Sequence, residues 1–372
     1  MTMIIKRDYY LQQLISSKSN NLIKIVTGIR RSGKSFLLFN LFHNHLIETG
    51  ISEDHIIEIA LDDRLNKNLR DPDIILQHIH ERIVDDKLYY IILDEVQMID
   101  EFTDVLNSLL HIRNADVYVT GSNSKFLSKD VVTEFRGRGD EIHLFPLSFA
   151  ELYNSIGGDK FELWKSYYTY GGLPGILELD SEKKKAAYLR SLHETVYLKD
   201  IIERNNLKNS EEFMELMRVM ASCIGSPCNP SKLENTFKSV KNETLDRKTI
   251  SKYLSYMEDA FLIEKSMRYD IKGRKYIGTL SKYYFQDIGL RNALLNFRQV
   301  EENHIMENVI YNELRLRGFC VDVGMVEART AKERKQLEVD FVANMADRRY
   351  YIQSAFAMPD DDKREQECAS LK

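Results

Sequence analysis

The stretch that most constrains this chain runs from Ile23 to Phe42, IKIVTGIRRSGKSFLLFNLF. Gly28, Gly33, Lys34 and Ser35 fit the phosphate-binding pattern G-x-x-x-x-G-K-[ST]. The apolar run Leu22 to Val26 ahead of the pattern suits a buried parallel strand. Phe36, Leu37, Leu38, Leu41 and Phe42 behind it fall on one face of a helix. A strand, a glycine loop and a helix in that order predict an α/β layout with a parallel sheet, and a nucleotide phosphate at the loop.

Each position in the loop has a physical task. Gly28 and Gly33 let the backbone turn tightly, so that successive N–H groups point inward at a phosphate. The helix opening at Lys34 and Ser35 turns its free N–H groups and positive dipole end toward the same anion. Lys34 is expected to reach the β- and γ-phosphates of ATP, and the Ser35 hydroxyl to hold Mg²⁺. The expected nucleotide contacts are therefore Gly28, Ile29, Arg30, Arg31, Ser32, Gly33, Lys34, Ser35 and Phe36.

A second continuous apolar run, Leu88 to Leu93, ends in Asp94 and Glu95. A buried strand that delivers acids at its C-terminal end matches the Walker B pattern, because open α/β sheets bind ligands at that end. Asp94 is the expected Mg²⁺ partner, and Glu95 the general base that polarises the attacking water. A third strand is expected over Asp116 to Thr120, with Ser122 or Asn123 beyond it as a γ-phosphate sensor. Ile56 to Leu61 reads as a further strand. An arginine of Arg136-Gly-Arg-Gly139 is a candidate arginine finger acting on its own nucleotide or on a neighbour's.

Composition narrows the class. The 372 residues call for two or three domains. With 43% hydrophobic and 29% charged residues, the chain reads as globular rather than disordered. A net charge of -5 argues against a surface uniformly coated in positive charge, yet leaves room for a local basic patch. No apolar run approaches the ~20 residues of a membrane span, and MTMIIKRDYY lacks the pattern of a signal peptide. Cys223, Cys228, Cys320 and Cys368 show no C-x-x-C pairing, so neither zinc nor a disulfide framework is expected, and a cytoplasmic setting is.

TGIRRSGKS, LDEVQ, TGSNS, RGRGDEIHLFPLSFAEL and YGGLPGIL occur in this order. In that order they resemble a prokaryotic family of AAA-type ATPases in which a P-loop ATPase precedes a C-terminal domain of unknown function. The resemblance covers nearly the whole chain. It implies ATP binding over Gly28 to Ser35, a Walker B role for Asp94 and Glu95, and a finger role for Arg138.

Beyond the core, residues 151–205 turn helical and resemble the lid that follows an AAA core, interrupted at Gly171 to Gly175. Residues 206–298 read as three amphipathic helices and a basic hairpin. This is the winged-helix layout, whose third helix enters a DNA major groove; winged helices also serve as protein-interaction modules. Arg247, Lys248 and Lys252 on the third helix, and Arg268, Lys272, Arg274 and Lys275 on the hairpin, are the expected phosphate contacts. Residues 299–372 resemble a restriction-endonuclease-like fold, with Glu307 on a helix and Asp340 on a strand. The third element reads Gln353, Ser354, Ala355, which offers neither a second carboxylate nor an ammonium, so nuclease activity is expected to be absent.

The sequence thus predicts an α/β P-loop core over 1–150 followed by three smaller parts, with ATP and Mg²⁺ as ligands. DNA or a protein is the expected partner, homo-oligomerisation follows if Arg138 acts in trans, and no membrane partner is expected. Two functions stay open: an ATPase coupled to DNA or a DNA-associated partner, and a nucleotide-dependent switch with little turnover.

Overall fold

The computed structural model describes residues 5–121, 137–241, 245–300, 302–329, 334–355, 358, 360–368 and 370–371. The chain divides into two compact units, Met1–Gly157 and Gly158–Lys372.

The first unit is built on a five-stranded sheet in the order β2-β3-β4-β1-β5. The strands are β1 (Ile23–Thr27), β2 (Ile56–Ala60), β3 (Tyr89–Asp94), β4 (Ala115–Thr120) and β5 (Gly139–His143). All four pairings are parallel. Every residue of β1 and β3 is buried, which is why these strands read as near-continuous apolar runs. Successive side chains feed opposite faces. Ile23, Ile25, Ile91 and Leu93 pack with Ile75, Ile79, Val105 and Leu109 on one side. Val26, Tyr90, Ile92 and Tyr118 pack with Leu37, Leu38, Phe42 and Leu14 on the other.

One residue of the β1 run is not apolar. Lys24 is fully buried, paired with Asp116, and donates to the Leu22 carbonyl at 2.8 Å. Tyr118 donates to the far oxygen of Asp116 at 2.9 Å, so the buried pair is hydrogen-bonded rather than stranded.

The second unit begins with helices Lys160–Tyr170, Glu182–Leu192, Lys199–Asn205, Ser210–Ser222, Pro230–Thr236 and Arg247–Asp259. Phe213, Leu216, Met217 and Met220 form the buried face of Ser210–Ser222. The hairpin β6 (Ile263–Asp270) and β7 (Lys275–Phe285) follows. After helices Ile288–Leu294 and Glu302–Leu316 come β8 (Cys320–Arg329), β9 (Arg334–Met345) and β10 (Arg348–Ile352). These strands make one sheet, β10-β9-β8-β6-β7, in which β6 and β8 run parallel and the other neighbours antiparallel.

The hairpin is therefore part of the C-terminal sheet, and the expected division at 298/299 runs through that sheet. β7 returns the chain to the end of the sheet at which β6 starts, and the two helices that follow carry it past β6, so that β8 runs parallel to β6. Tyr284 of β7, Tyr311 of the second helix and Val321 and Phe341 of β8 and β9 close a shared core.

The YGGLP segment serves this unit as a clasp. Gly171 has φ +79 and sits so close to Asp287 that a Cβ would collide with the carboxylate. Asp287 accepts from the Gly172 N–H at 2.8 Å and the Leu290 N–H at 2.9 Å, while Asn292 Nδ2 donates to the carbonyls of Tyr168 and Thr169.

Candidate nucleotide site

In a parallel sheet all strands deliver their C-terminal ends to one edge. Val26 of β1 lies opposite Thr120 of β4, and Leu93 of β3 opposite Val119. That register brings the Gly28–Ser35 loop, Asp94, Glu95 and Thr120 to the same edge.

Gly28 leaves β1 with φ +132, where a Cβ would run into the Leu144 carbonyl oxygen. Only glycine serves there. Arg31 and Gly33 also carry positive φ, so the loop turns repeatedly before the helix starts at Lys34. Ile29 is buried in the core; Arg30 is half-buried, and Arg31, Ser35 and Phe36 are exposed. Ser32 is fully buried, and its hydroxyl has no hydrogen-bond partner among the described residues.

Lys34 is only 5% exposed. Its Nζ donates to the carbonyls of Gly28 at 2.9 Å and Ile29 at 3.1 Å, folding the side chain back over the loop. Burial pulls its ammonium down to about 8, even with Glu95 and Asp94 nearby to favour the charge. A cation held by backbone carbonyls in a buried loop is electrostatically under-satisfied, and an incoming phosphate would complete it.

Asp94 ends β3 and is buried. Burial raises its carboxyl above the usual range, against hydrogen bonds from Thr120 and Ser35 that favour the anion. The loop hydroxyl and the strand carboxylate are thus already in contact. Thr120, which the sequence placed on a strand without a role, also accepts from the Glu95 N–H at 2.9 Å. Glu95 sits in the left-handed region at φ 54, a conformation that persists in a non-glycine residue only where its surroundings over-determine it. Gln97 donates to its carboxylate.

An AAA domain model matches residues 20–153, and a domain of unknown function, DUF8612, matches residues 161–301. An uncharacterized protein of Haemophilus influenzae is 34% identical over 365 residues, covering 96% of this chain and 88% of that one. An uncharacterized protein of Methanocaldococcus jannaschii, MJ1544, is 30% identical over 357 residues, covering 91% and 75%. The chain belongs to this family of AAA-type P-loop ATPases.

The Aeropyrum pernix Orc1 protein in complex with DNA overlays with a TM-score of 0.32 at 11% identity, over 79% of this chain and 93% of that one. An overlay that loose adds nothing to the AAA assignment.

Within the AAA unit the sequence-named residues do not all converge. Arg138 precedes β5, and its carbonyl accepts from the Ile23 N–H at the start of β1, whereas the phosphate loop follows the end of β1. At ~3.3 Å per residue, the length of β1 separates them by roughly 16 Å. Arg138 is exposed and donates to Asn107 at 3.1 Å. A finger acting on the loop of its own chain does not fit that placement, because the whole strand intervenes. Ser122 and Asn123 lie outside the described residues.

Sequence reasoning missed Arg7. Its guanidinium is buried, donates to the Ser32 carbonyl of the phosphate loop at 3.3 Å and the Phe145 carbonyl at 2.7 Å, and pairs with Glu151 at 2.9 Å. A single arginine thus ties the loop to the segments after β5. No local pattern announces it, since its partners lie 25 and 138 residues away.

Among the described residues no helix is long and apolar enough to cross a membrane, and Cys223, Cys228, Cys320 and Cys368 are free thiols.

Proposed function

We propose that this protein is a Mg²⁺-dependent ATPase of the cytoplasm whose turnover is coupled to DNA or a DNA-associated partner. The observation that carries the reading is the meeting of Lys34, Ser35, Asp94, Glu95 and Thr120 at one sheet edge. Around them stand a buried Ser32 hydroxyl with no hydrogen-bond partner among the described residues and a lysine bonded to carbonyls of its own loop.

The donor set fits Mg²⁺: a hydroxyl and a carboxylate in contact are the oxygen ligands a hard cation takes beside substrate phosphates. Ser35 and Asp94 would hold the ion, which would supply neutralisation of the phosphate charge. Lys34 leaves the carbonyls of Gly28 and Ile29 for those phosphates. Glu95 orients a water for in-line attack on the γ-phosphorus, Asn123 contacts the γ-phosphate, and Arg138 reaches the nucleotide of a neighbouring copy. Catalysis is then positioning and electrostatic stabilisation rather than covalent chemistry.

DNA coupling is supported by Lys248, Lys252, Lys272, Arg274 and Lys275, all exposed on the helix Arg247–Asp259 and the β6–β7 hairpin. Arg247 is a weaker candidate, because Glu234 already holds it at 2.6 Å. No nuclease step is proposed for the second unit.

A second reading, a nucleotide-dependent switch with a protein partner and little turnover, is favoured by Gln97, which occupies an oxygen of the Glu95 carboxylate. Steady-state hydrolysis with Mg²⁺, with and without duplex DNA, beside Glu95→Gln, separates the two. DNA-stimulated turnover that Glu95→Gln removes supports the coupled ATPase. Slow, DNA-indifferent turnover with retained nucleotide supports the switch, and turnover that survives Lys34→Ala overturns both.

A further inference from the structure

The turn that follows β2 reaches the same sheet edge as the phosphate loop, and one of its two acids has no task in the ATP reading. β2 runs parallel to β3 with Ala60 opposite Asp94, and the Leu61 N–H donates to the Asp94 carbonyl at 3.1 Å. The chain then turns back on itself, the Asp63 N–H donating to the Ala60 carbonyl at 3.3 Å. Asp62 lies in this turn, and paired strands stand only about 5 Å apart. It is therefore delivered beside the end of β3. After burial and the neighbouring Glu95, Asp62 is among the charges that raise the Asp94 carboxyl.

Of the two adjacent acids, Asp63 is committed to the fold. It caps the short helix Arg64–Arg70, its carboxylate accepting from the Leu65 N–H at 2.9 Å. Asp62 is exposed, and its carboxylate makes no hydrogen bond or ion pair among the described residues. Its turn is nonetheless tethered. Asn66 Nδ2 donates to the Ala60 carbonyl at 2.9 Å, Arg70 Nε donates to the Leu61 carbonyl at 2.9 Å, and the Asp100 N–H donates to the Arg70 carbonyl at 3.1 Å.

A free carboxylate at the edge of a polyanion site repels phosphate, so it does not serve binding. Nor does it complete a metal site: among the described residues no group of three acids, histidines or cysteines is placed to hold a metal ion. What a carboxylate can still accept there is a hydrogen of water. Glu95 has spare need of such help, because Gln97 already donates to its carboxylate.

We propose that Asp62 is a second acceptor for the attacking water, which it holds together with Glu95. The inference rests on the ATPase reading. Two acceptors fix both hydrogens of the water and so aim its lone pair at the γ-phosphorus. As the water oxygen bonds to that phosphorus, the bond to the β–γ bridging oxygen breaks and ADP leaves with its electron pair. One proton of the water passes to Glu95; Asp62 keeps the other hydrogen bond and takes no proton.

The test compares wild type, Asp62→Asn and Asp63→Ala by steady-state turnover with Mg²⁺, ATP affinity by titration, and melting. Asp62→Asn is expected to lower kcat by about 10–100-fold, with ATP affinity unchanged or tighter and the melting point unmoved. Asp63→Ala, which loses a cap, is expected to melt a few degrees lower with kcat within about twofold. Because both acids act on one water, Asp62→Asn added to Glu95→Gln is expected to cost less than the product of the two single losses. A wild-type kcat in Asp62→Asn overturns the inference, as does an equal kcat loss in Asp63→Ala or a kcat loss matched by lost ATP affinity. A wild-type chain without Lys34-dependent turnover fails the ATPase reading itself and takes this inference with it, and that failure is seen before any change at Asp62.

Discussion

Lys34 in the first unit and Lys282 in the second are both almost wholly buried lysines beside carboxylates, yet their electrostatic circumstances are opposite. Lys34 bonds to two backbone carbonyls, with Glu95 and Asp94 near but not in contact, and burial pulls it down to about 8. Lys282 touches two carboxylates, faces a third, and is held above the ordinary range once burial is outweighed. A buried charge that its surroundings do not neutralise favours any ligand that does so; a neutralised one is part of the fold. The contrast separates a site that awaits an anion from one that is already complete.

The widest break between the two is a crossed pair of substitutions. Lys34→Ala is expected to lower ATP turnover by on the order of 10²–10³-fold, as for loss of a transition-state charge partner, while barely changing the melting point. Lys282→Met is expected to cost about 3–5 kcal/mol, or roughly 10 °C, while turnover below the new melting point stays within about twofold. ATPase rates and melting curves on the same preparations check both. Equal effects on both readouts from either lysine would erase the distinction.

Glu95→Gln sharpens the functional side. It removes the base but keeps the shape that the Glu95 N–H to Thr120 bond sets. Turnover should fall by about 10²–10³-fold while ATP affinity, read by titration, stays within about threefold. A parallel loss of affinity would mean that Glu95 acts chiefly on the binding of Mg²⁺.

A smaller effect follows from the lowered Lys34. In the free protein its proton leaves near pH 8, and a phosphate beside it favours the charged form. Above pH 8 binding must therefore take up a proton, so ATP affinity falls as pH rises, by up to about tenfold per unit. Calorimetry in buffers of different ionisation enthalpy should show proton uptake at pH 8.5 and little at pH 7. For stability the sign is the reverse. The folded unit binds fewer protons at Lys34 than the unfolded chain between about 8 and 10.5, so the cost of burying this lysine fades as pH rises through that window.

What could be read from sequence was what is local. The strand, loop and helix around Gly28 and the acids Asp94 and Glu95 at the end of β3 are fixed by spacing along the chain, and the parallel sheet brings both to one edge. The continuous apolar runs gave the parallel sheet, with Lys24 concealed in one of them because its partner Asp116 lies 92 residues away. Contacts made through space were not legible. The clasp between Gly172 and Asp287 spans 115 residues, so YGGLP read only as an interruption of helices. The β6–β8 pairing joins Arg268 to Val323, so the hairpin read as a free wing. Nothing near Lys282 in the sequence announces three acids converging on it, since Glu307, Glu338 and Asp340 lie beyond the hairpin.

Arg7 offers the finest test, because it touches the phosphate loop without reaching a ligand. Its guanidinium meets the Ser32 carbonyl, the Phe145 carbonyl and Glu151 through three different nitrogens, a spread that the single nitrogen of an ammonium does not match. Arg7→Lys keeps the charge beside Glu151 and loses at least one carbonyl, which frees Ser32 to shift within a loop whose N–H groups must stay aimed at phosphate. The expected result is a KM for ATP raised by about three- to tenfold with kcat changed by less, and a melting point lower by a few degrees. If Arg7 only braces the fold, Arg7→Lys lowers the melting point and leaves KM where it was. A shift in KM at temperatures far below the melt makes it a positioning residue of the phosphate loop, acting through the Ser32 carbonyl while paired with Glu151.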